Sequence, residues 1–407
     1  MKTWVTEEYI DLFLNESDYD IRKSHNGRWI DQKCTPDVIS FIADCVLEFV
    51  KKSGPKKGFT TNDIWFSQYA TENAVKAFNK PRPDTQAAKN EYDKFFGQPL
   101  KLLGYSGILI ETKRKNQNYY VINDVNLLEY LSLREVNALT FIQKYNEKVL
   151  RDSGIFSYFE TFFRYQDKDS FEKLKISFVN FTKRNTPINK DLECGRIFTK
   201  VLNPLAYKYS SFGTEKGHLS KEIISIDMLM YNRDNFRDIY LGKPKNVTRH
   251  EYCIAKGIKY SEGYGKYSSE KAKRFIRLFN DSFRNGVSEV KPDSNPGAAI
   301  NMHHIFPESD YPELSGFLEN LIALTPNQHF IEAHPMGNTH IVDKNYQIIC
   351  LLTKADAIYK NIKSSENKIY DFKKFLYVLK VGFNDEKFLK FNLNTYDELL
   401  RAINCCA

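Results

Sequence analysis

The amino-acid sequence predicts an α+β protein that is mostly helical and contains more than one domain. A length of 407 residues exceeds that of most single domains, and apolar residues recur at helical spacing over long stretches such as 36–50. Two β-rich runs at 107–113 and 119–123 are spaced as a hairpin, and shorter apolar runs at 299–305 and 321–324 have the length of strands. The pattern indicates long helical regions interrupted by two small β elements.

The N-terminal part begins with residues 1–34, for which we predict a short acidic helix and a connecting segment. A clear helix start follows at Thr35 and Pro36, because a hydroxyl suits the N-cap position and proline suits the first helical position. Apolar residues then continue at helical spacing as far as Val50, and Gly54 is expected to end the helix.

Two further helices and a hairpin follow in the sequence. The second helix is predicted to be short and capped by Thr61 or Asn62, and the third spans 85–103. The hairpin comes next, with a polar tip at 114–118. Three helices followed by a hairpin resemble a winged helix-turn-helix domain, which is expected over 35–125. In such domains the third helix usually enters the DNA major groove, and the hairpin, or wing, contacts the backbone.

The tip of this hairpin is basic. Thirteen Lys and Arg residues but six Asp and Glu residues lie between Lys51 and Lys115, which leaves an excess of seven positive charges. Such an excess suits contact with DNA phosphates, and the predicted DNA-binding residues of the tip are Lys113, Arg114 and Lys115. Two other interpretations stay open: the tip is simply solvated, or the domain packs against another protein.

The central region, 126–290, is predicted to be helical and to link the DNA-binding domain to the C-terminal one. Its aromatic residues at 156–165 are more typical of a core than of a base-stacking surface. Polar and basic side chains that suit base or phosphate contacts occur at Asn232, Arg233, Asn235 and Arg237. The alternative for these four is a network of helix caps and salt bridges. A basic amphipathic helix is predicted over 268–284, with Lys271, Lys273, Arg274 and Arg277 on a cationic face toward a DNA backbone. Lys273 and Arg274 are the predicted DNA-binding residues of this helix.

Composition narrows the class of protein. The net charge of +8 is a mild bias compatible with nucleic-acid binding. Seven cysteines without a C-x-x-C pair are more typical of reduced thiols than of a disulfide framework. No apolar stretch approaches the length of a membrane span, and the first residues lack the regions of a signal peptide. With a Lys-, Asn- and Ile-rich composition typical of AT-rich bacterial genomes, the chain is expected to be a soluble protein of a bacterial cytoplasm.

Histidines are concentrated in one short window near the C-terminal end. Five of the eight lie there, namely His303, His304, His329, His334 and His340. The window contains the predicted strands at 299–305 and 321–324. Thr325 and Pro326 then supply a helix start. The paired histidines therefore end the first strand, and His329 lies about one turn into the helix.

Neighbouring residues of a strand point to opposite faces, so His303 and His304 are not expected to share one role. One can bind a metal while the other faces a water molecule and accepts its proton near neutral pH. A divalent cation held by one of them and by His329 would stabilise charge on a phosphate and its leaving oxygen. These groups together predict hydrolysis of a phosphodiester. A structural zinc site is the alternative, but it normally needs four Cys or His ligands, and no cysteine lies between Cys253 and Cys350.

The same residues resemble the motifs of the HNH (ββα-metal) nucleases. His303-His304-Ile-Phe-Pro is similar to the first motif of that family. Asn320-Leu-Ile-Ala-Leu is similar to the central asparagine and second strand, and Thr325-Pro-Asn-Gln-His329 to the helix. The resemblance implies that His303 and His329 are metal ligands and that His304 is the general base. It also implies that Asn320 ties down the loop and helps to orient the base.

The candidate for a third metal ligand departs from the spacing of the family pattern. In colicin-type relatives of the family, another ligand lies four residues after the helix histidine. Here that position is Ala333, and a histidine follows one residue later. His334 is therefore a candidate ligand whose spacing departs from the pattern. The resemblance places the nuclease module, with the helices after it, at 291–407.

The resemblance also implies a function, a cofactor and partners. A nuclease module joined to a DNA-reading domain is similar to type II restriction endonucleases, so we expect site-specific hydrolysis of phosphodiester bonds in double-stranded DNA. The expected cofactor is Mg²⁺, with Mn²⁺ or another divalent ion as the alternative. A homodimer would account for cutting both strands, and a cognate DNA methyltransferase is implied in the same system. Two other classes stay open: a homing or phage-defence nuclease of low specificity, and a non-catalytic DNA-binding regulator.

Overall fold

The chain divides into two compact units, residues 3–257 and 258–407. Long helices combined with small antiparallel sheets confirm the predicted α+β class. The finer division at residues 34, 125 and 290 stays a prediction. The computed structural model describes residues 5–54, 58–78, 80–86, 88–114, 117–231, 262–291, 297–335, 342–364 and 368–406.

Helices make up most of the described part of the first unit. They are α1 (Glu7–Asn15), α2 (Ile21–Ser24), α3 (Pro36–Ser53), α4 (Thr61–Trp65), α5 (Gln68–Phe78), α6 (Lys89–Tyr105), α7 (Val125–Leu133), α8 (Glu135–Asp152), α9 (Phe156–Tyr165), α10 (Lys168–Asn185), α11 (Asp191–Lys208) and α12 (Ile226–Leu229). In neither unit does a helix of the described ranges have the length and apolar character needed to cross a membrane.

Helix α3 shows how the sequence sets both ends of an element. Thr35 occupies its N-cap position and Pro36 its first position, as predicted. Gly54 ends the helix with a φ of 98°, a backbone conformation that favours glycine. Between these ends, buried apolar side chains recur at helical spacing, and α3 packs against α7 and α8.

Three strands form a sheet beside these helices. They are β1 (Phe59–Thr60), β2 (Leu109–Arg114) and β3 (Gln117–Ile122), which pair antiparallel in the order β1-β3-β2. Strands β2 and β3 are the predicted hairpin, with Leu109 opposite Ile122 and Arg114 opposite Gln117. Strand β1 and helix α5 were not predicted. A second hairpin of the unit consists of β4 (Phe212–Glu215) and β5 (His218–Ile223).

The start of helix α4 corrects the sequence prediction. Its N-cap is Thr60 and not Thr61 or Asn62. The Thr60 hydroxyl accepts a hydrogen bond from the Asp63 N–H at 3.3 Å, and the Thr60 N–H donates to the Asp63 carboxylate at 2.7 Å. These reciprocal bonds form a capping box, and the position of Asp63 selects Thr60 among three residues able to cap.

The aromatic residues of α9 confirm the expectation of a core. Phe156, Phe159 and Phe162 are buried, and Phe159 packs edge-on against Phe178 of α10. Tyr158 lies on the opposite, exposed side of the helix. The stripe of rings therefore joins neighbouring helices of the first unit.

The described part of the second unit contains one long helix, a two-stranded sheet and three further helices. Its elements are α13 (Glu262–Phe283), β6 (Asn301–His304), two 3₁₀ turns (Pro312–Leu314 and Leu318–Asn320), β7 (Leu321–Leu324), a π-helix (Gln328–Ala333), α14 (Lys344–Lys363), α15 (Phe372–Phe383), two more 3₁₀ turns (Glu386–Lys390 and Leu393–Thr395) and α16 (Tyr396–Asn404). Strands β6 and β7 pair antiparallel, with His304 opposite Leu321. Both strands were predicted.

A capping box begins the helical segment after β7. The Gln328 N–H donates to the Thr325 hydroxyl at 3.3 Å, and the Thr325 N–H donates to the Gln328 side-chain oxygen at 3.1 Å. Pro326 follows the cap, and the predicted helix start is confirmed. The segment then continues as the π-helix, which the sequence did not predict.

A buried cluster of charged side chains contacts strand β7 through its backbone. The Glu289 carboxylate accepts hydrogen bonds from the Ala323 N–H at 3.0 Å and from the Lys354 ammonium at 2.7 and 2.8 Å, and it forms an ion pair with Arg284 at 2.6 Å. Burial alone would raise the pKa of Glu289, but the two cations hold it below its ordinary value. The ionised carboxylate therefore fixes the middle of the strand that pairs with β6.

Candidate metal centre

Strand β6 carries both histidines of the predicted first motif. Its pleat sends the two side chains to opposite faces, and both are largely buried, with His303 4% and His304 8% exposed. The two imidazoles therefore enter different surroundings although they are adjacent in the chain.

The face of His303 contains two more imidazoles. The ring centroids lie 5.2 Å apart for His303 and His329, 5.0 Å for His303 and His334, and 4.9 Å for His329 and His334. One ring nitrogen from each residue lies within 4.8 Å of the others. Small side-chain rotations would bring all three nitrogens onto one ion, so the donor set fits a bound metal.

The protonation states of this cluster also suit a metal. Burial, together with the neighbouring imidazoles and Lys273, lowers the pKa of His303 to about 3. The same causes, burial first, lower the pKa of His329 to about 4. Both rings are therefore neutral at physiological pH and offer a lone pair, which is the form that binds a cation.

The π-helix explains how His334 reaches the cluster. His334 lies five residues after His329, whereas the colicin-type pattern places its ligand four residues after the helix histidine. A π-helix closes its hydrogen bonds from residue i to i+5 instead of i to i+4, so each turn holds more residues than an α-helical turn. The wider turn absorbs the extra residue, buries Ala333, and brings His334 back to the side of His329.

The face of His304 contains oxygen atoms. His304 Nε2 lies 2.9 Å from the Ser315 carbonyl oxygen. Because a carbonyl only accepts, Nε2 carries the proton and Nδ1 keeps its lone pair. Nδ1 lies 3.7 Å from the Glu308 carboxylate, and the Ser269 hydroxyl is 3.5 Å from Nε2. This arrangement leaves Nδ1 available to accept a proton.

The pKa of His304 is lowered, but its surroundings oppose the shift. Burial is the largest cause, and Lys273 acts in the same direction. The hydrogen bond to Ser315 and the charge of Glu308 both favour the protonated ring and raise the pKa. The imidazole is neutral at neutral pH, and it lies beside groups that stabilise its charged form.

Asn320 closes the loop between the two strands. Its side chain is fully buried, accepts from the Phe306 N–H at 2.9 Å, and donates to the Phe306 carbonyl at 2.9 Å and to the Leu314 carbonyl at 3.5 Å. Leu314 immediately precedes Ser315, whose carbonyl holds His304. Asn320 therefore connects with the imidazole through the loop that it fixes.

The described basic candidates for DNA contact are spread over both units. In the second unit, Lys273 on α13 lies 3.8 Å from the Glu308 carboxylate, and Arg274 is half-buried. In the first unit, Lys113 and Arg114 are exposed at the end of β2, and the Arg114 guanidinium lies 3.7 Å from the Tyr119 ring centroid. Five further candidates for DNA contact lie outside the described residues, namely Lys115, Asn232, Arg233, Asn235 and Arg237. His340 lies outside them as well.

The cationic face predicted for α13 needs one correction. Lys271 is buried, with its ammonium 5.3 Å from the Tyr267 ring centroid. It lies at helical spacing with Phe275 and Phe279, which are also buried, and so belongs to the apolar face. Arg277 is exposed as predicted.

Three neighbours of His304 were not singled out from the sequence: Ser269, Glu308 and Ser315. Glu308 and Ser315 belong to the loop that follows β6, and Ser269 comes from α13. One weak signal was present in the sequence, because Glu308 lies four residues after His304 and a carboxylate near a histidine suits a proton-transfer site. Nothing local in the sequence showed which way the Glu308 side chain points.

Comparison with protein-family models, curated proteins and solved structures finds no match to this chain.

Proposed function

We propose that this chain is a metal-dependent endonuclease of the HNH (ββα-metal) type that hydrolyses phosphodiester bonds in double-stranded DNA. The observation that carries the proposal is the separation of roles on strand β6. His303 joins His329 and His334 in a cluster of nitrogen donors, while His304 presents a lone pair beside oxygen groups. A strand pair followed by a helical turn supports the same assignment.

The geometry favours a catalytic site over a structural zinc site. Structural zinc sites are closed by four protein ligands, whereas catalytic sites keep a position open for water or substrate. Among the described residues, three imidazoles converge. Beside His304, Glu308 is one-third exposed, so that solvent can reach the His304 face. A purely structural site would have no use for this second face.

The residues of the site have distinct parts in the proposed reaction. His304 Nδ1 would accept a proton from the attacking water. The Ser315 carbonyl, which accepts from Nε2–H, would stabilise the imidazolium that results. Lys273 would add positive charge next to the phosphate. A divalent ion held by His303, His329 and His334 would supply charge stabilisation for the phosphate and its leaving oxygen.

The donor set bears on which ion is bound. Mg²⁺, the ion expected from the sequence, prefers oxygen ligands and retains several waters. Imidazole nitrogens suit Zn²⁺, Ni²⁺ and related transition ions. We therefore infer tighter binding of Zn²⁺ or Ni²⁺ than of Mg²⁺ at the three-histidine cluster. Isothermal titration of the metal-free protein with each ion would measure this order, and tighter binding of Mg²⁺ would contradict it.

The first unit supplies a DNA-reading domain in this proposal. Helices α3, α4, α5 and α6 precede and accompany a sheet in the order β1-β3-β2, an arrangement that supports the winged-helix assignment. The exposed cations at the end of β2 support contact between the wing and DNA phosphates. The particular enzyme that we propose is a type II restriction endonuclease. This proposal rests on analogy, because such enzymes also join a nuclease module to a DNA-reading domain.

Replacing the wing cations tests that part of the proposal. The double variant Lys113→Gln/Arg114→Gln should weaken DNA binding and reduce the slope of log K against log[salt] by about 2, roughly one unit per lost phosphate contact. Fluorescence anisotropy over a salt series would measure both. The double variant Lys173→Gln/Arg184→Gln removes the same charge from exposed positions of α10. Equal slopes for the two variants would contradict a wing contact.

Digestion of DNA tests the whole function. Purified protein is incubated with plasmid and phage DNA of mixed methylation, with each divalent ion or with EDTA, beside the His304→Ala variant. Discrete bands that need metal and disappear in the variant would support a site-specific endonuclease. A metal-dependent smear would favour a homing or phage-defence nuclease of low specificity. DNA that stays intact under every condition, while still being bound, would favour a non-catalytic regulator.

A further inference from the structure

We propose that Glu308 is a further catalytic residue, whose carboxylate and the Nδ1 atom of His304 together hold the water that attacks the phosphorus. This inference rests on the proposed nuclease function. It assigns a role to a side chain that no part of the sequence motif singled out. The support comes from three groups around the carboxylate, namely the Ser269 hydroxyl, the Lys273 ammonium and His304 Nδ1, and from their chemistry.

The Glu308 carboxylate is held in place but reaches solvent. Its Oε2 accepts a hydrogen bond from the Ser269 hydroxyl at 3.0 Å. The Lys273 ammonium lies 3.8 Å from the same oxygen, and His304 Nδ1 lies 3.7 Å from it. The side chain is 33% exposed. Groups from α13 therefore fix the carboxylate next to the imidazole on a side that water can enter.

The distance between Nδ1 and the carboxylate is too long for a direct hydrogen bond. Both atoms are acceptors, because Ser315 fixes the His304 proton on Nε2 and Nδ1 has only a lone pair to offer. A water molecule donates two hydrogen bonds and can therefore bridge them. Two hydrogen bonds of about 2.8 Å to acceptors at this separation give an angle of about 80° at the water oxygen, so each hydrogen bond is moderately bent.

A water held by both of its hydrogens is oriented for attack. Its lone pairs point away from the two acceptors, so the oxygen is free to approach a phosphorus atom. In the step, the water oxygen forms a bond to phosphorus while one water proton passes to His304 Nδ1. The bond from phosphorus to the 3′ oxygen breaks, and that oxygen takes a proton from solvent. Glu308 holds the second hydrogen throughout.

The alternative is that Glu308 is only an ion-pair partner of Lys273. A pair at this exposure contributes little to stability, so removing it would leave catalysis nearly unchanged. The two interpretations therefore differ in the cleavage rate at saturating DNA, where affinity no longer matters.

The test compares Glu308→Ala and Glu308→Gln with the wild-type protein in single-turnover cleavage at saturating DNA and metal. Loss of a group that positions the nucleophile should lower the rate by about 100-fold for Glu308→Ala and less for Glu308→Gln, which keeps one acceptor oxygen. Metal affinity and the melting temperature should stay unchanged, and DNA affinity should not fall, because the variants remove a negative charge. Glu313→Gln is the matched control, since Glu313 is an exposed carboxylate of the same loop.

A substrate with sulfur in place of the bridging 3′ oxygen separates water activation from help to the leaving group. Sulfur leaves readily, so this substrate should recover much of the rate of a variant that is impaired on the leaving side, such as His329→Ala. It should not recover the rate of Glu308→Ala. Recovery of the rate in both variants would overturn the role of Glu308 and leave the proposed nuclease function standing. Cleavage by Glu308→Ala within twofold of the wild-type rate would do the same. A wild-type protein that cuts no DNA would overturn the proposed function as well.

Discussion

The two faces of strand β6 place one residue type in two different chemical surroundings. His303 and His304 are adjacent and similarly buried, but one is surrounded by nitrogen atoms of other imidazoles and the other by a carbonyl, a hydroxyl and a carboxylate. The pleat of the strand separates these surroundings. The role that we propose for each histidine therefore rests on its neighbours and not only on its position in a motif.

The difference has a clear electrostatic basis. Burial disfavours a proton on His303, and any charge on the other two imidazoles would repel it, so the neutral form is favoured. A proton on His304 would be stabilised by Glu308 and by the Ser315 carbonyl, which partly offset burial. One face therefore favours a permanent lone pair for a cation, and the other favours a ring that can gain and lose a proton.

Removing each histidine in turn is the strongest test of this separation. His304→Ala should lower the cleavage rate by about 10²- to 10⁴-fold, the range for a positioned general base, and leave metal affinity unchanged. His303→Ala should lose metal binding and cleavage together. Calorimetric metal titration beside single-turnover cleavage would distinguish the two variants. Loss of metal binding in His304→Ala would show that the faces are not independent.

The turn that brings His334 to the cluster gives the second test. His334→Ala should weaken metal binding by roughly 100-fold or more, since even losing a hydrogen-bond partner of a ligand costs about 10- to 100-fold. The double variant Ala333→His/His334→Ala moves the imidazole to the position expected for an α-helix. Because residue 334, and not residue 333, contacts the other imidazoles at the end of the π-helix, this variant should bind no better than His334→Ala. Metal binding at the wild-type level would show that the turn is α-helical.

Much of the His303 face could be predicted because its signals are local. Two apolar runs predicted β6 and β7, and Thr325 with Pro326 predicted the helix start. The π-helix could not be predicted, because i to i+5 hydrogen bonding leaves no pattern that differs from an α-helix over six residues. The spacing of His334 was the one sign of it, and it was visible only as a departure from the family pattern.

The His304 face was beyond sequence reasoning for another reason. Its groups come from α13 and from the loop after β6, and their meeting depends on how these segments pack. Two elements of the first unit were missed on similar grounds. Strand β1 has two residues and therefore no period, and the buried face of α5 consists largely of alanines, which give a weak apolar signal.

Acid sharpens the comparison by acting on the metal-free cluster. Since burial lowers the pKa of His303 to about 3, the unfolded chain takes up a proton as pH falls below 6.5 and the folded chain does not. The contribution of His303 to the free energy of unfolding is therefore present above pH 6.5, and it is lost progressively as the pH falls toward 3. Between pH 6.5 and 5 the loss from His303 is about 2 kcal/mol. Urea unfolding of metal-free wild type and His303→Gln across this range would measure it, and parallel curves for the two proteins would contradict it.

Lys273 gives the smallest effect and tests how far the two faces are coupled. Its charge lowers the pKa of His303, His304 and His329 alike, so it is felt on both sides of β6. Lys273→Met should reduce the salt slope of DNA binding by about 1 and the rate at saturating DNA by about tenfold, because the ammonium lies beside Glu308 and the proposed position of the phosphate.

Arg277→Met is the matched variant, because it removes one charge from an exposed position one turn further along α13. It should change the salt slope by a similar amount and leave the rate at saturating DNA unchanged. A rate loss in Lys273→Met but not in Arg277→Met would mean that the shared cation acts on the reacting groups and not through DNA affinity. Equal cleavage rates at saturating DNA for the two variants would mean that Lys273 contributes only to DNA binding. The two faces of β6 would then be electrostatically independent.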